Sequence, residues 1–238
     1  MSAQRVSERH FRPATDLPDD LARLLAGLAL TPGLSALDLA TGTGSVALEL
    51  AARGLKVTAV DRAPAVLATA RQRAAARQVD VTWLVGSVYR LPFADATFDR
   101  VTCRQAAHHL GRLKPALVEW ARVLKPGGLL AVSDTTALPQ ARSAVSALDR
   151  LRERHPVRIR SVDQWLGAIG AARLGLESLT LSVDPMPLAE WLSPADLQTH
   201  SGRAALEAIR AWPDELTETL CPDGVFQRLR LVVVCRKR

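Results

Sequence analysis

The chain has 238 residues and is poor in aromatic side chains, which make up 4% of it, and in cysteine, of which there are three. Cys103, Cys221 and Cys235 are odd in number, widely spaced and without companions at metal-ligand spacing. That argues against a disulfide framework and against a zinc site, so no metal is expected and a reducing cytoplasm is the expected compartment. Long apolar runs are missing as well. The longest, Leu24 to Leu30, is far too short to span a bilayer. Met1 to Pro13 is polar and mixed in charge, with no apolar signal segment, so no membrane partner is expected. Acids are outnumbered, 24 Asp and Glu against 31 Lys and Arg, for a net charge of +7. The excess is nearly all arginine and is spread along the chain, with one denser stretch from Arg150 to Arg160. It has no basic tail and no interleaved aromatics, so a solvated arginine surface is the simpler reading and no nucleic-acid partner is expected.

With 48% hydrophobic and 23% charged residues, the composition is that of a globular protein with ample material for a core. Asp16 to Leu30 has helical spacing of leucines behind an acidic first turn. Strand-like and helix-like segments then alternate. Leu34–Leu39, Lys56–Val60, Val79–Val85, Phe98–Cys103 and Leu129–Ser133 read as strands. Ser45–Arg53, closed by Gly54, Pro64–Arg77 and Pro115–Leu124 read as the helices between them. Such alternation predicts an α/β fold, a parallel sheet with helices on both faces. Beyond Asp134 the rhythm changes: Ala141–Arg154 and Val162–Ala172 read as helices, Leu176–Val183 as a strand, Leu188–Leu220 as broken helix and Arg228–Cys235 as a last strand. No linker or repeat divides the chain, so residues 1–238 are expected to form one domain.

The segment that carries chemistry is Leu37-Asp38-Leu39-Ala40-Thr41-Gly42-Thr43-Gly44-Ser45. Two glycines at a strand-to-helix turn let the backbone bend sharply and let a ligand lie against the main chain. Alone they are ambiguous, since Gly42, Gly44 and Ala47 also fit the dinucleotide fingerprint and an ordinary tight turn would use them too. Asp38 sits in an otherwise apolar strand, where a carboxylate needs a partner. It could steer the loop amides or, through water, a ligand ammonium, and a pyrophosphate gives no reason for it. Asp61 ends the second strand, where a carboxylate can accept both hydroxyls of a ribose. Lys125-Pro126-Gly127-Gly128 joins a helix to a strand as a glycine-rich turn.

These segments resemble the class I S-adenosylmethionine (SAM)-dependent methyltransferases, in particular the ubiquinone/menaquinone C-methyltransferase-like group. Val57–Asp61, Leu91-Pro92-Phe93-Ala94-Asp95-Ala96-Thr97-Phe98-Asp99, Ala106-Ala107-His108-His109 and Val123 to Gly128 fit that pattern in order. The resemblance implies a Rossmann-like, seven-stranded, mostly parallel sheet of order 3-2-1-4-5-7-6 with an antiparallel last strand and a helical substrate cap. The core would span about 17–136 plus the C-terminal strands, with cap elements at about 137–172 and 184–226. It implies SAM as cofactor, with Ala40, Gly42 and Gly44 along the methionine part, Asp38 and Thr43 also in the cofactor site, and Asp61 on the ribose. Arg62 would lie over the adenine, Ser87 and Val88 at its edge, and Arg104 near the methionine end. Many relatives carry an acid where Ser87 stands. The implied activity is methyl transfer to a small organic acceptor by a monomer or homodimer. The rivals are a nucleic-acid methyltransferase, favoured by charge alone, a nicotinamide-dependent oxidoreductase, and a SAM-binding module without catalysis.

In-line positioning does most of the work in methyl transfer, and a base is needed where the acceptor must lose a proton. His109 is the candidate base. Because alternation in regular structure sends neighbours to opposite sides, only one of His108 and His109 is expected to face the acceptor. Asp134, ending the fifth strand, is read equally as a cap and as a substrate contact. Arg150, Arg152, Arg154 and Arg158 read as a solvated helix face or, alternatively, as a clamp for an acidic substrate. Trp120, Trp165 and Trp191 read as core or interface.

Overall fold

A computed structural model of the chain describes residues 17–152, 157–192 and 200–238. Helix α1 (Asp19–Ala26) is followed by β1 (Ser35–Leu39), α2 (Ser45–Ala52), β2 (Lys56–Asp61), α3 (Pro64–Ala76) and β3 (Val81–Val85). Then come β4 (Phe98–Arg104), a 3₁₀ turn at Ala107–His109, α4 (Leu113–Val123) and β5 (Leu124–Thr136). The C-terminal part holds α5 (Arg142–Arg152), α6 (Val162–Ala171), β6 (Leu174–Pro187), α7 (Leu188–Leu192), α8 (His200–Arg210), α9 (Asp214–Leu220) and β7 (Val225–Lys237).

The strands form one seven-stranded sheet of order β3-β2-β1-β4-β5-β7-β6. Neighbours from β3 to β5 pair in parallel, and β7 runs antiparallel to both β5 and β6. Chain order reverses between β1 and β4. At such a switch point the loops leaving the carboxyl ends of the two strands diverge and open a crevice.

Local sequence explains the elements. β2 is apolar and β-branched between its charged ends, and α3 starts with Pro64 in its first turn, where a missing amide proton costs nothing. At the start of α6, Ser161 and Gln164 form a capping box. The last two strands are longer than Leu176–Val183 and Arg228–Cys235 suggest, because they pair with each other from Leu174↔Lys237 to Pro187↔Val225. β6 is the sheet edge, so Pro185 and Pro187 cost no ladder bond to a further strand. The Lys125–Gly128 turn is absorbed into β5 and lies at the amino end of the sheet, away from the crevice. There Lys125 reaches Asp99 at 2.9 Å, and Asp99 accepts the amide and hydroxyl of Ser35, tying β5, β4 and β1 together.

Buried apolar side chains fill both faces of the sheet, one cluster around Leu37, Leu117, Trp120 and Trp165 and the other around Leu24, Ala47, Val57 and Val232. A third cluster lies among the C-terminal elements, with Val145, Leu148, Val157, Trp191, Ile209 and Phe226. All three tryptophans singled out in the sequence are core residues. Arg154 and the segment 193–199 of the expected broken helix lie outside the described residues.

Candidate active site

The glycine turn is fixed from below. Asp38, buried in β1, accepts the hydroxyls of Thr41 at 2.5 Å and Thr102 at 2.7 Å, together with the amide of Ala47. It therefore ties the turn to the first helical turn of α2 and to β4. Ala40 (φ 50°), Gly42 (φ 56°) and Gly44 (φ 84°) all take left-handed backbone angles. At Gly44 a Cβ would meet the Trp83 ring at 2.9 Å, so the turn packs closely on that side; at Gly42 a Cβ would meet nothing within 4 Å, so the turn is open there. Thr43 is anchored through its carbonyl and hydroxyl by Arg73, at 3.0 and 2.8 Å.

Burial pushes the Asp38 carboxyl up to about 6, against hydrogen bonds that favour its ionised form. A folded value above the ordinary one means that the native state binds the proton more tightly. This contribution to stability is present in full below about pH 4 and is lost as pH rises through about 6. Asp38→Asn does not titrate there. Its stability relative to the parent is expected to rise by about 3 kcal/mol between pH 4 and 7, at about 1.4 kcal/mol per pK unit. Urea denaturation across that range measures the difference, and a flat difference would rule out the raised value.

The other implied cofactor residues lie at the carboxyl ends of adjacent strands. Asp61 closes β2 and reaches the glycine turn directly, accepting the amides of Gly42 at 2.8 Å and Ala63 at 3.0 Å. Arg62, next to it, is exposed. Ser87 follows β3 and is exposed, its hydroxyl accepting the Tyr89 amide at 3.2 Å, while Val88 is buried and its carbonyl accepts the Trp120 indole N–H. Arg104 turns its guanidinium onto Asp20 of α1 through two bonds of 2.7 Å. Asp20 also accepts Gln105 and Ser133. The sequence suggested a dipole role for the acids of this helix, but Asp20 stands four residues before the buried Leu24, on the apolar face, and that spacing is the signal of a buried partner.

His108 and His109 occupy the 3₁₀ turn after β4. Strand alternation does not apply in such a turn, and both rings line the same cavity, with centroids 4.0 Å apart. The His108 ring is backed by an acid. Its Nδ1 lies 2.6 Å from Asp134 Oδ1, and its amide donates to Oδ2 at 3.0 Å. Burial alone would raise the Asp134 carboxyl, but the charge and hydrogen bond of His108 and the Thr135 amide outweigh it and hold it below the usual carboxylate range. When the imidazole is neutral, an ionised partner at Nδ1 makes that nitrogen the donor and leaves the lone pair on Nε2. Register brings the pair together: Arg104 of β4 pairs with Ser133 of β5, so the segments that follow run side by side. The cavity measures about 410 Å³, with walls that include Val145, Met186, Trp191 and Phe226 as well as Arg228 and Arg230.

Several known proteins are similar to this chain. Residues 37–132 match the family described as "Methyltransferase domain". The chain is 36% identical over 170 residues to the demethylmenaquinone methyltransferase of Deinococcus radiodurans, covering 68% of this chain and 67% of that one. It is 40% identical over 116 residues to the Paracoccus denitrificans ubiquinone/menaquinone biosynthesis C-methyltransferase UbiE, covering 47% of this chain and 46% of that protein. The crystal structure of YcgJ from Bacillus subtilis superposes with a TM-score of 0.85 at 26% identity, covering 92% of this chain and 98% of that one. With its sheet order, its glycine turn and these likenesses, the chain belongs to the SAM-dependent small-molecule methyltransferases.

Proposed function

We propose that the crevice at the β1/β4 switch point holds SAM and that the adjoining cavity holds an acceptor whose nucleophile gives up its proton to His108. The observation that carries this reading is half-buried His108, which lines the cavity and is backed by the buried Asp134 carboxylate.

The residues present fit the cofactor, because the turn at Gly42 offers open space against bare main chain. Ala40, Gly42, Thr43 and Gly44 pass along the methionine part, and Asp38 holds their turn in shape. Asp61 receives the ribose hydroxyls; a carboxylate has about four acceptor sites, enough to serve hydroxyls besides the two amides it already meets. Arg62 stacks on the adenine, Ser87 and Val88 meet its edge, and Arg104, its side chain committed to Asp20, contributes main chain at the methionine end. SAM, when bound, supplies a methyl carbon on a cationic sulfur. The protein's part is to align the acceptor, exclude water and take one proton on His108 Nε2, with Asp134 stabilising the imidazolium that forms. His109 orients the acceptor beside it.

The acceptor is a small molecule with an ionisable hydroxyl or an activated carbon, a class to which the demethylmenaquinone in one relative's name belongs. Among the described residues, α5, α7, α8 and α9, whose apolar side chains meet in the third cluster, make up the cap over it, while α6 packs on the sheet and belongs to the core of the same domain. No helix among the described residues is long and apolar enough to cross a membrane. We place the enzyme in the cytoplasm, acting without a nucleic-acid partner as a monomer or homodimer. Pairing of many arginines with acids, such as Arg53 and Arg77 with Glu49 and Arg236 with Glu177, supports the absence of a nucleic-acid role.

Asp61→Ala is expected to weaken SAM binding by about 1.5–3 kcal/mol, the range for hydrogen bonds to a charged group. Calorimetric titration of a folded variant with unchanged affinity would overturn the ribose assignment. A screen of small acceptors with tritiated methyl donor identifies the second substrate.

A further inference from the structure

A second cleft, of about 340 Å³, lies between the start of α5, the segment 157–160 and the start of α6. Its polar lining consists of Arg142, Arg158, Arg160, Ser143, Ser146 and Gln164, and no carboxylate lines it among the described residues. Neither Arg142 nor Arg158 has a carboxylate within salt-bridge distance among the described residues. Arg160 is half-buried and spends its guanidinium on carbonyls, those of Ala107 at 2.8 Å, Arg158 at 3.2 Å and Leu110. This differs from the arginines elsewhere on the surface that meet acids directly. Three guanidinium groups around one concavity repel each other, and the planar fork of arginine matches an oxyanion better than any other common ligand.

From this arrangement we infer that the cleft is an oxyanion site for a phosphate or carboxylate group. Of the four arginines read in the sequence as a helix face or an acid clamp, Arg158 follows the end of α5 in the non-helical segment 157–160, and it shares the cleft with Arg142 and Arg160.

The site lies against the catalytic turn. The Arg158 amide donates to the His108 carbonyl at 2.8 Å, and Arg160 holds the carbonyls on either side of the histidine pair. Val157 lines both the cavity and the cleft. The cleft therefore adjoins the cavity, and its oxyanion is either the acidic end of an acceptor long enough to extend past Val157 or a free ion.

Titration of the full-length protein with inorganic phosphate and with pyrophosphate, by calorimetry at constant ionic strength, tests the site without any methyl transfer. Binding is expected for the parent and is expected to weaken at least about tenfold in Arg142→Ser/Arg158→Ser, which removes two charge-assisted contacts. Lys56→Ser/Arg71→Ser removes the same charge from exposed positions elsewhere and should leave it within about twofold. SAM affinity is measured alongside and should stay the same in both variants, which separates this test from the cofactor assignment. Phosphate competing with the acceptor in a methylation assay identifies the acceptor's own acidic group as the occupant, and phosphate binding without competition identifies a free ion. Absence of phosphate and pyrophosphate binding, or equal weakening in the two double variants, overturns the proposal.

Discussion

His108→Gln is expected to lower kcat by roughly 10²–10⁴-fold, the usual contribution of a positioned acid–base group. SAM affinity should hardly change under the proposal that the cavity His108 lines receives the acceptor. Glutamine keeps a hydrogen-bond donor for Asp134, so the loss isolates the proton-accepting nitrogen rather than the packing of the turn. The acid limb of the pH–rate profile should vanish with it, since that limb reports protonation of the base. Asp134→Asn should also lose most of the rate: an amide oxygen or nitrogen opposite Nδ1 no longer fixes which ring nitrogen carries the lone pair. His109→Gln, by contrast, should cost less than about tenfold in kcat, with the larger change in acceptor KM. A greater loss of kcat at His109 than at His108 would move the base to His109.

Asp20→Ala should be the costliest single change to stability. Asp20 is buried, and its removal leaves the Arg104 guanidinium, Gln105 and Ser133 without the acceptor they share. Breaking one side of a buried ion pair typically costs about 3–5 kcal/mol. For a chain of this length that lowers Tm by roughly 6–20 °C. Replacing both partners, as Asp20→Leu/Arg104→Met, should recover much of the loss, because no buried charge is then left alone. The pH dependence has a definite sign. Burial alone would raise the Asp20 carboxyl, but Arg104 and Gln105 overcome it and bring it down to about 2. Its contribution is thus present above about pH 4 and disappears as pH falls through about 2. Thermal melts of parent and variant that converge toward pH 2 support this reading, and a constant gap down to pH 2 contradicts it.

Much of the fold was legible because the elements of a doubly wound sheet announce themselves locally. Apolar strands with few charges, glycine at Gly42 and Gly44, Pro64 at a helix start and the Pro126-Gly127-Gly128 turn each act within a few residues. Element ends were less legible. The extra length of β6 and β7 comes from their pairing with each other, an interaction between segments about fifty positions apart in the chain that no local pattern encodes.

The sequence by itself determined the α/β class, the glycine turn, the carboxylate at the end of the second strand and, through its ordered motifs, the methyltransferase family. Each of these depends on residue type and on spacing along one strand or one turn. Tertiary structure alone decided which carboxylate serves which group. Asp38 acts as the buried tie of the glycine turn, Asp20 is the partner of Arg104, and Asp134 backs His108 rather than His109. It also decided that Arg142, Arg158 and Arg160 share one cleft. The physical reason is common to all of them: a charge is assigned by what surrounds it in space. Burial and hydrogen-bond partners come from strands and helices brought together by the sheet order, not from neighbours in the chain.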